Sequence, residues 1–359
     1  MQRPLFIADH SERLLCPLPL KIESYSGCSG GCAYCSRGGL RDPLGGVHIN
    51  SVQYIEKYFF RAGKGMVRGL IDQRSPIQIG PTSDPLQRAE KTHKNTLKVL
   101  KILQDRQYPT VLTTKFPHRL CGAEYYRSMD GLPLVMQVSI GTAEPDMLTK
   151  LEPGAPSLPR RLEAMAQLHE AGVNVQLRLW PYIPDLVGNV ADLLQEAKDV
   201  GVQTVLANPL KIYHNGGREG INRALGRDYL ATTPLKYANG GLFSVMNFEE
   251  QMREMGKLAD LCRSHSMDML SCDDWPGSRD WRDCCGVGGL PGFKPSPWAY
   301  YVNGHRIQDH CSFDEYMAGL DCPWHEEFKQ EWEAGKLARA LPDVVFHPED
   351  ETYSRLVAR

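Results

Sequence analysis

The sequence predicts an α/β fold, a partial (β/α)6 barrel of parallel strands with a Cys/Trp-rich C-terminal extension. Three observations predict it. Between residues 20 and 210, runs rich in Val, Ile, Leu and Thr alternate with runs of helical spacing, the order that βαβ units produce. Glycines (Gly63, Gly65, Gly172, Gly201) end several of the helical runs, as helix C-caps do. After about residue 210 the alternation stops and Gly, Asn, Arg, Cys and Trp take over. The chain therefore reads as a barrel over residues 1–210 and a cap or extension, a candidate substrate-binding region, over residues 211–359.

Residues 1–20 are Pro-rich (Pro4, Pro17, Pro19) and are expected to wrap the outside of a first strand at 21–25. Residues 51–60 have helical spacing through Val52, Ile55, Tyr58 and Phe59. A second strand at 76–79 leads into Gly80-Pro-Thr-Ser-Asp-Pro85, and 86–103 reads as one long helix with Leu97, Leu100 and Leu103 on one side. Strand three is 108–114. Strand four, 134–140, is apolar apart from Gln137 and Ser139, the mark of a strand covered on both faces. A helix at 161–171 carries Leu162, Met165 and Leu168, and 173–179 alternates apolar and polar residues as strand five. Asn189 caps a helix to residue 200, and 202–206 is strand six. Residues 211–241 read as a loop or cap over the barrel mouth, and 248–265 as an amphipathic helix whose Met252, Met255, Leu258 and Leu261 are core packing.

At 359 residues and 42% hydrophobic content the chain can bury a sizeable core. The first ten residues lack the apolar stretch of a signal peptide. No apolar run reaches the roughly 18 residues of a membrane span, so no membrane partner is expected. A net charge of −2 gives no global attraction to nucleic acid but leaves room for a local basic face. Lys91, His93, Lys94, Lys98 and Lys101 give one helix a basic side, read chiefly as a solvated face.

The chemistry concentrates in residues 24–39, where Cys28, Cys32 and Cys35 stand in C-x3-C-x2-C spacing among glycines. One tight loop must aim all three sulfurs at a single object. Thiolates favour zinc or iron–sulfur clusters, and structural zinc wants four protein ligands. No partnering C-x2-C follows. A [4Fe–4S] cube is normally held by four cysteines, so three leave one iron for the amino and carboxylate groups of a substrate or cofactor. The glycines permit positive φ and close backbone approach to a bulky cluster. The plainer alternative is three buried structural cysteines. An oxidising compartment would destroy an open cluster, so a reducing, cytoplasmic location (host cytoplasm for a viral protein) is expected.

With Tyr34 just before its third cysteine, the loop resembles that of the radical S-adenosylmethionine (SAM) superfamily. The resemblance implies that the open iron chelates the methionine end of S-adenosyl-L-methionine. One electron, from a donor such as flavodoxin or ferredoxin, then cleaves a C–S bond, and the resulting 5′-deoxyadenosyl radical abstracts a substrate hydrogen. It also implies that Thr82, Ser83 and Asp84, just beyond the second strand, hold the SAM amino group. Asp84 is equally readable as a helix N-cap before Pro85. Tyr34, Ser139 and Arg178 complete the candidate SAM pocket. Ser139 and Arg178 are also readable as satisfied inward polar groups.

Glu152-Pro153-Gly-Ala-Pro156-Ser157 with Arg160-Arg161-Leu162, Trp180-Pro181-Tyr-Ile-Pro184 and the Thr-Ser-Asp turn are similar to segments of the spore photoproduct lyase-like subgroup. That resemblance implies a pyrimidine or nucleic-acid substrate, DNA with a modified or damaged thymine. Two departures bear on the reaction. The lyase has a hydrogen-returning cysteine before Thr-Ser-Asp, where this chain has Pro81, and a tyrosine after the third cluster cysteine, where this chain has Ser36. Without that relay, a product radical can recover its hydrogen from 5′-deoxyadenosine, which makes the reaction an isomerisation. Relatives in bacteriophage thymine hypermodification are thought to do chemistry of this kind.

Beyond residue 270, Cys272, Cys284, Cys285, Cys311 and Cys322 gather with Trp275, Trp281, Trp298 and Trp324. The cysteines are readable as an auxiliary cluster, as buried thiols, or as a redox cysteine. Their spacing, C-x11-C-C-x25-C-x10-C, matches no compact ligand motif. The tryptophans admit packing or stacking on a flipped base. Three functions are carried forward: isomerisation of a modified thymine, with lesion repair as its lyase alternative; radical SAM chemistry on a peptide or small metabolite; and a non-catalytic iron or redox sensor.

Overall fold

The computed structural model describes residues 5–7, 18, 20–35, 46–53, 55–56, 71, 74–214, 216–239, 243–271, 285–287 and 290. In chain order the first strands are β1 (Leu5–Ile7), β2 (Leu20–Ile22), β3 (Tyr25–Ser26), β4 (His48–Ile49) and β5 (Ile77–Ile79). There follow β6 (Thr110–Thr114), β7 (Leu134–Ser139), β8 (Asn174–Tyr182) and β9 (Thr204–Pro209). The last are β10 (Ile212–Tyr213), β11 (Tyr237–Asn239), β12 (Phe243–Met246) and β13 (Asp268–Leu270). The helices are α1 (Glu90–His93), α2 (Asn95–Gln104), α3 (Ala123–Met129), α4 (Pro145–Leu151) and α5 (Leu158–Glu170). They continue with α6 (Val190–Asp199), α7 (Gly217–Leu225), α8 (Tyr229–Thr232) and α9 (Phe248–Ser264).

One sheet runs β1-β2-β5-β6-β7-β8-β9-β13. β1 pairs antiparallel with β2, and every other neighbouring pair is parallel. β2 and β13 do not pair with each other, so among the described residues the barrel is open. Side chains alternate across the strands. One face presents Ile77, Ile79, Leu112, Met136, Val138, Leu177 and Leu179 to Leu97, Leu100 and Leu103 of α2, Met165 and Leu168 of α5, Leu193 and Leu194 of α6 and Leu258 of α9. The other face carries a polar belt. Gln78 Nε2 donates to Thr113 Oγ1 (3.3 Å), Thr113 Oγ1 to Gln137 Oε1 (3.1 Å), and Gln137 Nε2 to Gln176 Oε1 (3.3 Å). Towards the strands' N-terminal ends the same face is closed by Leu18, Val111 and Val135 packed on Cys285, Val287 and Leu290.

The α/β class and all six sequence-read strands are present. The structure adds β1 and a seventh parallel strand, β13, which is too short and too polar at Asp268 to display a period. The long helix read over 86–103 is broken. Lys94 adopts a left-handed conformation (φ 48°), because the buried Glu90 turns back to accept the amides of Thr96 (2.9 Å) and Leu97 (2.9 Å) and caps α2. Residues 211–241 are also more structured than a loop, with α7, α8 and a sheet in the order β10-β12-β11. Asn189 does cap α6, accepting from the Asp192 amide (3.4 Å). The helix read at 51–60 is seen at Val52, Gln53, Ile55 and Glu56, and its remainder lies outside the described residues.

Candidate cofactor site at the barrel mouth

The cysteine loop leaves the C-terminal end of β2, at the rim where parallel α/β folds collect their sites. Gly27 (φ 80°) and Gly31 (φ 63°) take left-handed conformations that let the chain fold back between the cysteines. Cys28 is exposed, while Cys32 and Cys35 are half-buried. The Cys28 and Cys32 sulfurs flank Gly30: a β-carbon there would lie 3.5 and 3.7 Å from them. The Cys35 amide donates to the Cys32 carbonyl (3.1 Å), closing the loop's last turn.

Neighbouring elements clamp this loop. The fully buried Gln87 brackets Cys28 at the start of the loop, accepting from the Ser29 amide (2.8 Å) and donating to the Gly27 carbonyl (2.8 Å). The Gly30 carbonyl accepts the Gly154 amide (3.1 Å), and the Leu151 carbonyl accepts the Ala33 amide (2.8 Å). Contact at Gly154 is so close that a β-carbon would fall 2.6 Å from the Gly30 oxygen. From the other side α7 lies against the loop: a β-carbon on Gly220 would fall 2.2 Å from the Ala33 oxygen.

Beneath the loop is a buried charge network. Tyr34 donates its hydroxyl to Glu152 Oε1. Glu152 Oε2 pairs with Arg161 Nη2 at 2.6 Å, and Lys115 Nζ stands 3.8 Å from Glu152 Oε1 and 5.7 Å from the Tyr34 ring. Arg161 also donates to the carbonyls of Ser139 (2.8 Å) and Pro156 (3.0 Å). Burial raises the Glu152 carboxyl, but Arg161 and Lys115 outweigh it and hold its pKa below the usual range. Burial likewise opposes the Lys115 ammonium, yet Glu152 and Cys32 raise its pKa.

Thr82, Ser83 and Asp84 follow β5, and the Asp84 amide lies against the Cys28 thiol. Glu23, immediately after β2, accepts the amides of Thr82 (2.9 Å) and Ser83 (3.1 Å) and the Thr82 hydroxyl, so its carboxylate shapes the turn. Asp84 accepts from the Leu86 amide (2.9 Å), the Thr114 hydroxyl (2.7 Å) and the Lys115 amide (2.7 Å). It thereby ties the turn to the end of β6. Burial leaves its pKa raised despite these donors. Ser83 is buried, and its Oγ has no hydrogen-bond partner among the described residues.

Of the remaining candidates, Ser139 is buried at the end of β7. Arg178 donates to Gln137 Oε1 (2.7 Å) and Thr113 Oγ1 (3.3 Å) and stacks 4.0 Å over Trp180, so it belongs to the polar belt. Cys285 sits in the apolar cluster that closes the barrel's far end. Cys272, Cys284, Cys311 and Cys322, with Trp275, Trp281, Trp298 and Trp324, lie outside the described residues. Sequence reasoning named no role for Glu23, Gln87 or Lys115, each of which follows a strand or turn and carried no spacing signal.

The donor set fits an iron–sulfur cube. A cube takes each thiolate on a different iron, and three thiols on one turn supply that chemistry. Although Cys28 as a residue is exposed, burial of its sulfur and the Asp84 carboxylate raise the thiol, while the amides of Asp84 and Gly30 favour its thiolate. Burial also pushes Cys32 up to about 12, partly offset by Lys115. Iron must therefore displace protons as it binds.

The parallel sheet has counterparts among the solved structures. The chain resembles spore photoproduct lyase complexed with dinucleoside spore photoproduct, with a TM-score of 0.53 and 18% identity over 77% of this chain and 81% of that one. A mutant of the same lyase with bound AdoMet and dinucleoside spore photoproduct matches with TM-score 0.53 and 17% identity over 74% and 78%. The chain has the fold of these proteins. Uncharacterized proteins of Mycobacterium tuberculosis and Mycobacterium bovis are 22% identical over 180 residues, 47% of this chain. The chain spans about half (51%) of the length of these curated relatives. No protein-family model matches. No helix among the described residues is long and apolar enough to cross a membrane.

Proposed function

We propose that this chain is a radical SAM enzyme that isomerises a modified thymine base in DNA. The observation that carries the reading is the clamped Cys28, Cys32, Cys35 loop, three thiols on one rim turn. When bound, a [4Fe–4S] cluster supplies the electron that cleaves SAM and so starts hydrogen abstraction. The chain's own residues do the rest. Gln87 and Glu152 hold the loop's shape, Glu23 presents the Thr82-Ser83 turn, and Lys115 places a cation near Cys32 that favours its thiolate. The DNA substrate is supported by the likeness to a lyase solved with dinucleoside spore photoproduct. Pro81, in place of the lyase's hydrogen-returning cysteine, supports isomerisation over net splitting.

Residues 211–359 are proposed as the substrate-facing extension, supported by α7 lying against the loop. A reducing compartment and a flavodoxin- or ferredoxin-type donor complete the reading. The test is anaerobic: the reconstituted, reduced protein is given SAM and modified-thymine DNA, and nucleosides and 5′-deoxyadenosine are analysed by mass spectrometry. A rearranged thymine nucleoside without stoichiometric 5′-deoxyadenosine is expected. SAM cleavage with every nucleoside unchanged sinks the DNA substrate and points to peptides or metabolites.

A further inference from the structure

Past Lys115, the rim carries a turn at Pro117–Arg119 that packs against α5. The Cys121 thiol, next along, reaches the Ala164 carbonyl of α5 at 3.8 Å. The cations here outnumber the acids. Arg161 is neutralised by Glu152, but no carboxylate among the described residues pairs with Arg119 or Arg160. The first turn of α5 contains no acid, so Arg160 adds its charge to the positive end of the helix dipole. The next acid along, Glu163, accepts from Gln167 (3.4 Å). Arg119 stands 5.8 Å over the Phe116 ring, and the His118 ring is 6.4 Å from the same ring. Two buried atoms of this group, His118 Nδ1 and Arg119 Nε, have no hydrogen-bond partner among the described residues. Burial and the neighbouring Arg160, Arg119 and Arg161 push the His118 pKa down to about 4. Uncompensated charge and the unmet Arg119 donor at one spot are costly unless an anion supplies the missing partner.

We propose that His118, Arg119 and Arg160 form a phosphate-binding site on the rim, which holds a backbone phosphodiester of the strand whose base enters the barrel mouth. The phosphodiester source rests on the DNA reading above; the site itself does not. Guanidinium groups suit phosphate because their planar donors match its oxygens.

The test uses the full-length protein and a fluorescein-labelled thymine-containing oligonucleotide, with anisotropy read over a salt series and no SAM added. Arg160 is exposed, so Arg160→Gln leaves folding intact, and Arg119→Gln is its partner. Lys98→Gln, on the exposed side of α2, is the control for general charge. Each site variant is expected to weaken binding about 3- to 10-fold near 100 mM salt and to flatten the log K against log salt slope by about 0.7, one single-strand phosphate contact. The control should change neither. Site variants indistinguishable from the control overturn the proposal. If the wild type ignores the oligonucleotide but is thermally stabilised by inorganic phosphate, and Arg160→Gln loses that effect, the site stands and the DNA reading falls. No response to either probe overturns the site.

Discussion

The Tyr34 hydroxyl donates to Glu152, a residue 118 positions further along the chain. That single contact joins the cysteine loop to the Arg161 ion pair, and so to β7 through the Ser139 carbonyl. Glu152→Gln is expected to leave the fully buried Arg161 without its counter-charge, a loss of about 3–5 kcal/mol. Tyr34→Phe removes one hydrogen bond of the same carboxylate and should cost about 1–3 kcal/mol. Urea midpoints of the two variants check the order. A Glu152→Gln variant as stable as Tyr34→Phe would remove the ion pair from this account.

The two hydrogen bonds of Gln87 span the loop from Gly27 to Ser29. Gln87→Leu keeps a similar volume but makes neither bond. Its barrel should fold, because the strands and helices of the main core do not include this residue. Iron and sulfide bound per chain after reconstitution are expected to fall severalfold. Wild-type loading would place the loop's rigidity elsewhere.

Glycine substitutions should change stability in opposite directions at two helical positions. At Gly220 a β-carbon would sit 2.2 Å from the Ala33 oxygen, a backbone atom that cannot swing aside, so Gly220→Ala should cost about 1–3 kcal/mol and loosen α7 from the loop. At Gly256, inside α9, nothing lies within 4 Å. Gly256→Ala should stabilise by about 0.5–1 kcal/mol, from helix propensity alone. Thermal unfolding of both variants decides whether α7 docks as described.

The pH dependence of stability has one sign for two groups. His118, lowered from 6.5 to about 4, is neutral in the fold where the unfolded chain binds a proton. Stability therefore falls as pH drops from about 6.5 to 4. Glu152 is held below 4.5, so its contribution is full above that pH and is lost as pH falls towards the folded value. Urea midpoints at pH 7, 5.5 and 4.5 should decline steadily, and His118→Gln should flatten the upper part of that decline. An unchanged slope in the variant rules His118 out as its source.

Local periodicity is why the six central strands, α5, α6 and α9 are readable in the sequence. Alternation and 3.6-residue spacing are properties of neighbouring residues, and burial on the sheet enforces them. The three-cysteine loop is legible for the same reason, since its cysteines lie within eight residues. The break at Lys94 is not, because it depends on Glu90 folding back onto the next helix. Nor are Glu23, Gln87 and Lys115, whose roles exist only once the ends of β2, β5 and β6 stand side by side.

By itself, then, the sequence determined the α/β class, the strand order in the chain and the close spacing of Cys28, Cys32 and Cys35. Tertiary structure alone decided which distant carboxylates and amides hold that loop, that β13 extends the sheet, and that Arg119 and Arg160 have no counter-charge among the described residues. The reason is range. Thiols in one turn are covalently near, whereas hydrogen bonds and ion pairs act over a few ångströms between residues that only the folded sheet brings together.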